Sequence, residues 1–235
     1  MDLSTARILV TGGSSGIGRA AARHLIDRGA KVAICGRDAE RLREVAAEIG
    51  ALAVPADVSR EGDVERLVQT VVSELGGYDT LVNNAGVGSF APLLEVTADD
   101  LRRVWEINVL GATLVARESA RHFVARGGGG NIVNVVSTSG QRAGAGGSAY
   151  ASTKFALSAL TQSWRAELRK HDIRVMQVNP SEVITEFFGR AGMPQKDDPS
   201  KLHPEDIARV IGSMLELDDR AFVTEATVWA TNPSS

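Results

Sequence analysis

The 235-residue chain has a single cysteine, so no disulfide can close within it and a secreted disulfide scaffold is excluded. Only four histidines accompany that cysteine, scattered along the chain, and no metal site is expected. Aromatic residues amount to just 5%. Neither sign of charge dominates: 26 Lys and Arg face 29 Asp and Glu, for a net charge of −3. That balance offers no electrostatic grip on DNA or RNA. No apolar run approaches the ~20 residues of a membrane span. Met1-Asp2-Leu3-Ser4-Thr5 lacks the cationic start and apolar stretch of a secretory leader. The expectation is a cytoplasmic protein that binds neither nucleic acid nor membrane.

Glycine, by contrast, is plentiful, with 24 residues. In a chain poor in aromatics, this points to close backbone packing or backbone approach to a ligand. Hydrophobic residues at 43% and charged residues at 23% are ordinary globular values and exclude wholesale disorder. A chain of this length buries roughly 70–75% of its unfolded surface and needs no covalent staple.

Two kinds of segment alternate. Short β-branched runs recur at Ile8-Leu9-Val10, Val32-Ala33-Ile34, Leu81-Val82, Ile132-Val133-Asn134-Val135-Val136 and Arg174-Val175-Met176-Gln177-Val178. Between them lie helical spacings over 17–28, 39–49 and 63–75. Leu42, Val45, Ala46 and Ile49 form one apolar stripe; Val64, Leu67, Val68, Val71, Val72 and Leu75 form another. A last strand is predicted over 223–229. Strands alternating with helices imply βαβ units and a parallel sheet. The fold class is therefore α/β: one Rossmann-type, doubly wound domain spanning 1–235, with about seven parallel strands and helices on both faces. Gly127-Gly128-Gly129-Gly130 resembles a linker, but a strand follows at once, so it is expected to be a tight loop. A short lid is expected around 186–203, carrying Pro194, Pro199 and the charged run Lys196-Asp197-Asp198.

The first strand runs into Thr11-Gly12-Gly13-Ser14-Ser15-Gly16-Ile17-Gly18, and a helix follows. Glycines 12, 16 and 18 form a G-x-x-x-G-x-G spacing. Such glycines permit a sharp turn and close approach to a pyrophosphate, while the helix N-terminus offers N–H groups to the phosphates. At the end of the second strand, Ile34-Cys35-Gly36-Arg37-Asp38, a carboxylate for a ribose 2′-hydroxyl is missing. Arg37 there suits a 2′-phosphate and argues for NADP. Asp38 fits better as the N-cap of the next helix. Cys35 is expected to be a small buried hydrophobe.

With Asn83-Asn84-Ala85-Gly86 and Tyr150-Ala151-Ser152-Thr153-Lys154, the chain resembles the short-chain dehydrogenase/reductase family over essentially its whole length. The resemblance implies NADP(H) and a small-molecule carbonyl or alcohol substrate, with a 3-oxoacyl thioester as the first candidate. Small ketones, diketones, sugars and steroid-like carbonyls are the alternatives. A non-catalytic NADP(H) sensor is a further reading. The resemblance puts catalytic roles on Tyr150, Lys154, Asn108 and Ser137; Ser137 opens a Ser-x-x-Gly segment thirteen residues before the tyrosine. It puts cofactor contacts on Gly12, Ser14, Ser15, Gly16, Ile17, Gly18, Arg37, Asp57, Val58, Asn83, Ala85, Gly86, Pro180, Val183 and Thr185, and on Tyr150 and Lys154 as well. Where the family commonly has Asn-Pro-Gly, this chain has Asn179-Pro180-Ser181.

The chemistry gives those residue types a reason. Carbonyl reduction needs a hydride, which no side chain donates, and a proton for the developing alkoxide. A free tyrosine titrates near pH ~10. Lowering that by ~3 units takes roughly 4 kcal/mol, the order supplied by one ammonium about 4 Å away at an effective dielectric of ~20. Lys154 is the candidate, helped by the positive charge of an oxidised nicotinamide. The helix around Tyr150 also carries Ala151, Ala156, Ser158, Ala159, Phe155 and Trp164, too many to face one sheet. A partner helix is expected, in a homodimer or homotetramer.

Overall fold

A computed structural model describes residues 1–193 and 198–232. Pro194, Lys196 and Asp197 of the expected lid lie outside the described residues.

The first half of the chain builds three βα units. They are β1 (Arg7–Thr11), α1 (Gly16–Asp27), β2 (Lys31–Gly36), α2 (Ala39–Ile49), β3 (Leu52–Pro55) and α3 (Glu61–Leu75). The second half continues with β4 (Thr80–Asn83), α4 (Ala98–Trp105), α5 (Ala112–Ala125), β5 (Gly130–Val135), α6 (Ser148–Leu168), β6 (Ile173–Pro180), α7 (Glu186–Arg190), α8 (Pro204–Glu216) and β7 (Glu225–Val228). A π-helical segment, Glu106–Gly111, joins α4 to α5.

Local chemistry sets many of these boundaries. Asp38 caps α2 as expected, its side chain accepting from the Arg41 N–H at 3.1 Å. Such a cap is worth about 1 kcal/mol against alanine. Gly50 and Gly76 end α2 and α3 in the left-handed conformation, where a side chain would be strained. The Gly127–Gly130 run is indeed a turn: all four glycines have positive φ, and the Gly129 N–H donates to the His171 carbonyl at 2.8 Å.

The seven strands order as β3-β2-β1-β4-β5-β6-β7, and every pairing is parallel. β3 shows no β-branched run in the sequence because it is an edge strand with an exposed proline at its end. β7 is shorter than expected, since Val223 lies outside the sheet, exposed. One core lies between the sheet and α1, α2 and α8, where Leu42, Val45, Ala46 and Ile49 point inward. The other lies against α3 and α5, around Val64, Leu67, Val71 and Phe123. Cys35 is fully buried, and burial pushes its thiol up to about 12, so it is an inert hydrophobe.

The chain leaves β3 at one edge and returns to place β4 beside β1. Winding direction therefore reverses between β1 and β4, and a crevice opens beyond the carboxyl ends of the strands. No helix among the described residues is long and apolar enough to cross a membrane.

Candidate active site

A cleft of about 1260 Å³ fills that crevice. Its floor is the turn between β1 and α1. Gly12 and Gly16 have φ of 66° and 50°, conformations that only glycine adopts without strain. A methyl on Gly18 would overlap the Gly12 carbonyl and come within 2.5 Å of Asn84 Nδ2, so helix and strand meet backbone to backbone here. Ser15, at the N-cap of α1, makes no side-chain cap bond. Ser14, Ser15, Gly16 and Ile17 line the cleft beside Gly12. Thr185 packs over Gly16 from the opposite wall, its methyl 3.2 Å from where a Gly16 side chain would begin.

The Asn83-Asn84-Ala85-Gly86 segment divides its labour differently from the expectation. Asn83 does not line the cleft. Its amide turns into the sheet and donates to Ala112 O at 2.9 Å and Asn134 Oδ1 at 3.2 Å. Asn84 is the residue that faces the turn, donating to Thr11 O at 2.9 Å and Gly12 O at 3.3 Å. Thr11 Oγ1 in turn accepts from the N–H groups of Asn84 and Ala85, each at 2.9 Å. Thr11 and Asn84 thus sew the glycine turn to the end of β4, and neither stood among the expected site residues. Ala85 and Gly86 line the cleft as expected.

At the outer end, Asp57, Val58, Gly36 and exposed Arg37 line the wall. Burial pushes the Asp57 carboxyl up, but hydrogen bonds from Ser59 and the charges of Arg37 and Arg60 outweigh it and hold the group low. Arg41 is a second cation at this end that the sequence reading missed. Its Nε donates to Ser14 O at 3.3 Å, and its Nη2 pairs with Glu186 of α7 at 2.6 Å. A signal existed: Arg41 sits in the first turn of α2, where the helix dipole disfavours a cation.

At the inner end, Tyr150 and Lys154 share one face of α6, one turn apart, as their spacing requires. Ser137 follows β5, and it lines the inner end of the cleft together with Tyr150. Ser137 Oγ also accepts from the Ser139 N–H at 3.1 Å and lies 3.5 Å from the Pro180 carbonyl. Lys154 is only 4% exposed; its Nζ donates to Val135 O at 3.0 Å and stands 5.6 Å from the centre of the Tyr150 ring.

The expected lowering of Tyr150 by Lys154 is not what the protein's own groups produce. Burial pushes Tyr150 up to about 12, with Ser137 pulling the other way. Burial also draws Lys154 down to about 8. The reason is that both groups are desolvated, which favours their neutral forms, and the ammonium is turned to a carbonyl.

Asn108 is buried in the π-helical segment, outside the cleft lining. Its side chain is fully engaged: Oδ1 accepts from Val87 N at 2.8 Å, and Nδ2 donates to Val87 O at 2.9 Å and Thr153 Oγ1 at 3.0 Å. The far wall is formed by Pro180, Ser181, Val183 and Thr185. Ser181 replaces the family glycine without strain, because no left-handed backbone is needed there; its N–H donates to Val228 O at 2.9 Å. Phe90, Phe187 and Phe188 close over Tyr150, and none was singled out beforehand.

The glycine cradle, the uncapped start of α1 and the polar wall near Arg37 fit a dinucleotide, and Tyr150 and Ser137 lie in the lining of the same cleft. Comparison with known proteins gives the family. A family model described as short chain dehydrogenase matches residues 6–196. An uncharacterised oxidoreductase of Bacillus subtilis, YxnA, is 38% identical over 77% of this chain and 52% of its own length. A sorbitol dehydrogenase of Cereibacter sphaeroides is 38% identical over 80% of this chain and 74% of its own. Among solved structures, a 3-ketoacyl-(acyl-carrier-protein) reductase from Brucella melitensis complexed with NADH has a TM-score of 0.90 at 32% identity, covering 97% of this chain and 98% of that one. An alcohol dehydrogenase from Thermococcus sibiricus complexed with 5-hydroxy-NADP has a TM-score of 0.87 at 29% identity, with the same coverage.

Proposed function

The chain belongs to the short-chain dehydrogenase family, and from that premise we propose that it is an NADP-dependent reductase of a carbonyl to an alcohol, reversible as an alcohol dehydrogenase. It is an oxidoreductase using a nicotinamide cofactor; the preference for NADP, the substrate and the residue roles are the proposal. The observation that carries it is that Tyr150, Lys154 and Ser137 gather at the inner end of a cleft whose floor is a glycine cradle.

When bound, the nicotinamide supplies the hydride. Tyr150 donates the proton to the carbonyl oxygen, and Ser137 fixes that oxygen by a second hydrogen bond. Lys154 holds a positive charge 5.6 Å from the centre of the tyrosine ring and would contact the ribose of the bound cofactor. Asn108 acts by position: its bonds to Val87 and Thr153 tie the cleft wall to the helix that carries Tyr150 and Lys154. A part for Asn108 in relaying protons is supported by the π-helical turn around it, a feature frequent at functional sites. The turn from Gly12 to Gly18, with Asp57, Val58, Ala85, Gly86, Pro180, Val183 and Thr185, holds the dinucleotide.

Two arginines at the outer end and no carboxylate at Gly36 favour a 2′-phosphate over a free hydroxyl. A 3-oxoacyl thioester as substrate is supported by likeness to the Brucella reductase, and sugars by likeness to the sorbitol dehydrogenase. The sensing role is disfavoured because the tyrosine, lysine and serine are all present and placed together. A homodimer or homotetramer is supported by Trp105 on α4 and Phe155 on α6, which are 41% and 44% exposed on helices that pack side by side. Oxidation of NADPH against a carbonyl panel, in the wild type and in Tyr150→Phe, tests the reading. Turnover is expected in the first and its near loss in the second; reduction at equal rates would overturn the assignment.

A further inference from the structure

Four aromatic rings, Tyr150 among them, form one cluster in the cleft lining, in a chain that has only six Phe and two Tyr in all. Phe90 and Phe187 each lie 5.4 Å from the Tyr150 ring, centre to centre. Phe188 stacks on Phe90 at 5.7 Å and meets Phe187 edge-on at 5.4 Å. The packing leaves no slack: a methyl on buried Gly88 would come within 2.7 Å of the Phe90 ring and 3.0 Å of Phe187. Both ends of the cluster are anchored. Glu186, beside Phe187, pairs with Arg41, and the Ala91 N–H, beside Phe90, donates to Gly146 O at 2.9 Å.

A carbonyl oxygen that reaches the hydroxyls of Tyr150 and Ser137 must send one substituent toward these rings. Phenyl rings accept no ordinary hydrogen bond. A hydroxyl on that substituent loses its water and gains nothing, which weakens binding by roughly ten- to a hundredfold. A flat ring instead joins the edge and face contacts at ~4.5–7 Å that such clusters favour. Building on the carbonyl-reductase reading, we propose that the substrate is a ketone carrying a flat apolar group, such as an aryl ring, on the side of its carbonyl that faces Phe90 and Phe187. The second substituent leaves toward the cleft mouth, where Ser181 and exposed Trp229 form part of the lining. A polyol or ketose does not meet this requirement.

The test compares NADPH oxidation with ethyl benzoylacetate, ethyl acetoacetate and D-fructose. The two esters differ only in the group on the ketone. The expected kcat/KM for the benzoyl ester exceeds that for the acetyl ester by at least ~tenfold and that for fructose by at least ~a hundredfold. Phe187→Ala should shrink the ratio between the esters to about threefold or less, and Phe187→Leu, which stays apolar, should keep it above that. Equal or better use of the acetyl ester, fructose within about tenfold of the benzoyl ester, or a ratio untouched by Phe187→Ala would overturn the proposal. If no ketone is reduced, the reductase reading is what fails. Calorimetric titration of the two esters into the protein with NADP⁺ then decides the pocket by itself. Tighter binding of the benzoyl ester supports it, and equal binding overturns it.

Discussion

Replacing Arg41 and replacing Glu186 should move NADPH affinity in opposite directions. One guanidinium serves two sites: it holds the lip of the glycine turn through Ser14 O and holds α7 through Glu186. The ion pair is partly exposed, 36% on the arginine and 54% on the glutamate, and such pairs contribute about 0.2–1 kcal/mol. A charge-assisted hydrogen bond to a 2′-phosphate contributes roughly 1.5–3 kcal/mol. The phosphate therefore wins the arginine from the glutamate, and the net gain is the difference between the two. Arg41→Ala forfeits it, while Glu186 keeps its pair with Arg190, so the dissociation constant for NADPH should rise on the order of tenfold. Glu186→Gln removes the competitor and should tighten NADPH by up to about fivefold. NADH lacks the phosphate, and neither change should move its binding by more than about twofold. Fluorescence titration of both reduced cofactors into wild type and variants measures all six constants. An equal loss of NADH and NADPH in Arg41→Ala would make the residue a structural clamp. Weaker NADPH binding in Glu186→Gln would refute the competition, and equal wild-type affinities would refute the preference for NADP.

Tyr150→Phe should abolish turnover while leaving the dissociation constant for NADPH within about threefold of wild type; a tenth of wild-type turnover remaining would mean another proton donor. Lys154 titrates at about 8 in the folded protein against 10.5 for a free lysine, so the unfolded chain binds more protons between those values and stability rises with pH across that window. The penalty below pH ~8 is of the order of 3 kcal/mol, and Lys154→Met should remove it and flatten the rise from pH ~8 to ~10 in denaturant unfolding; an unchanged slope would refute the buried ammonium. Gly18→Ala forces a methyl onto the Gly12 carbonyl and should destabilise the fold by about 1–3 kcal/mol and loosen cofactor binding, a result that equal unfolding midpoints would contradict. Phe155→Glu places a charge on the exposed face of α6 and should lower the mass seen by light scattering, whereas a monomeric wild type would reject the oligomer outright.

The alternation of apolar runs and helical stripes determined the parallel doubly wound sheet, because strand and helix periods are local properties of the chain. The glycine turn was legible for the same reason: four glycines within seven residues, from the end of a strand into the start of a helix, dictate a local backbone path. So was the shared face of Tyr150 and Lys154, since one turn of helix brings them together whatever the rest of the chain does. Gly127–Gly130 and the Asp38 cap were likewise written in neighbouring residues.

Tertiary structure decided the rest. Asn83 and Asn84 are adjacent and chemically identical, yet one is spent inside the sheet and the other fastens the glycine turn, because β4 ends at Asn83 and Asn84 lies just beyond it, against Thr11 and Gly12. Arg41 and Glu186 stand 145 residues apart, and only the meeting of α2 with α7 across the cleft makes them partners. Phe90 reaches Phe187 and Phe188 in the same way, across nearly a hundred residues of intervening chain. The protonation balance that the protein's own groups set for Tyr150 and Lys154 was not legible in their spacing. Their separation is local, but the loss of water that pushes both toward neutrality comes from their burial in the folded chain, beside the end of β5 and under Phe90 and Phe187.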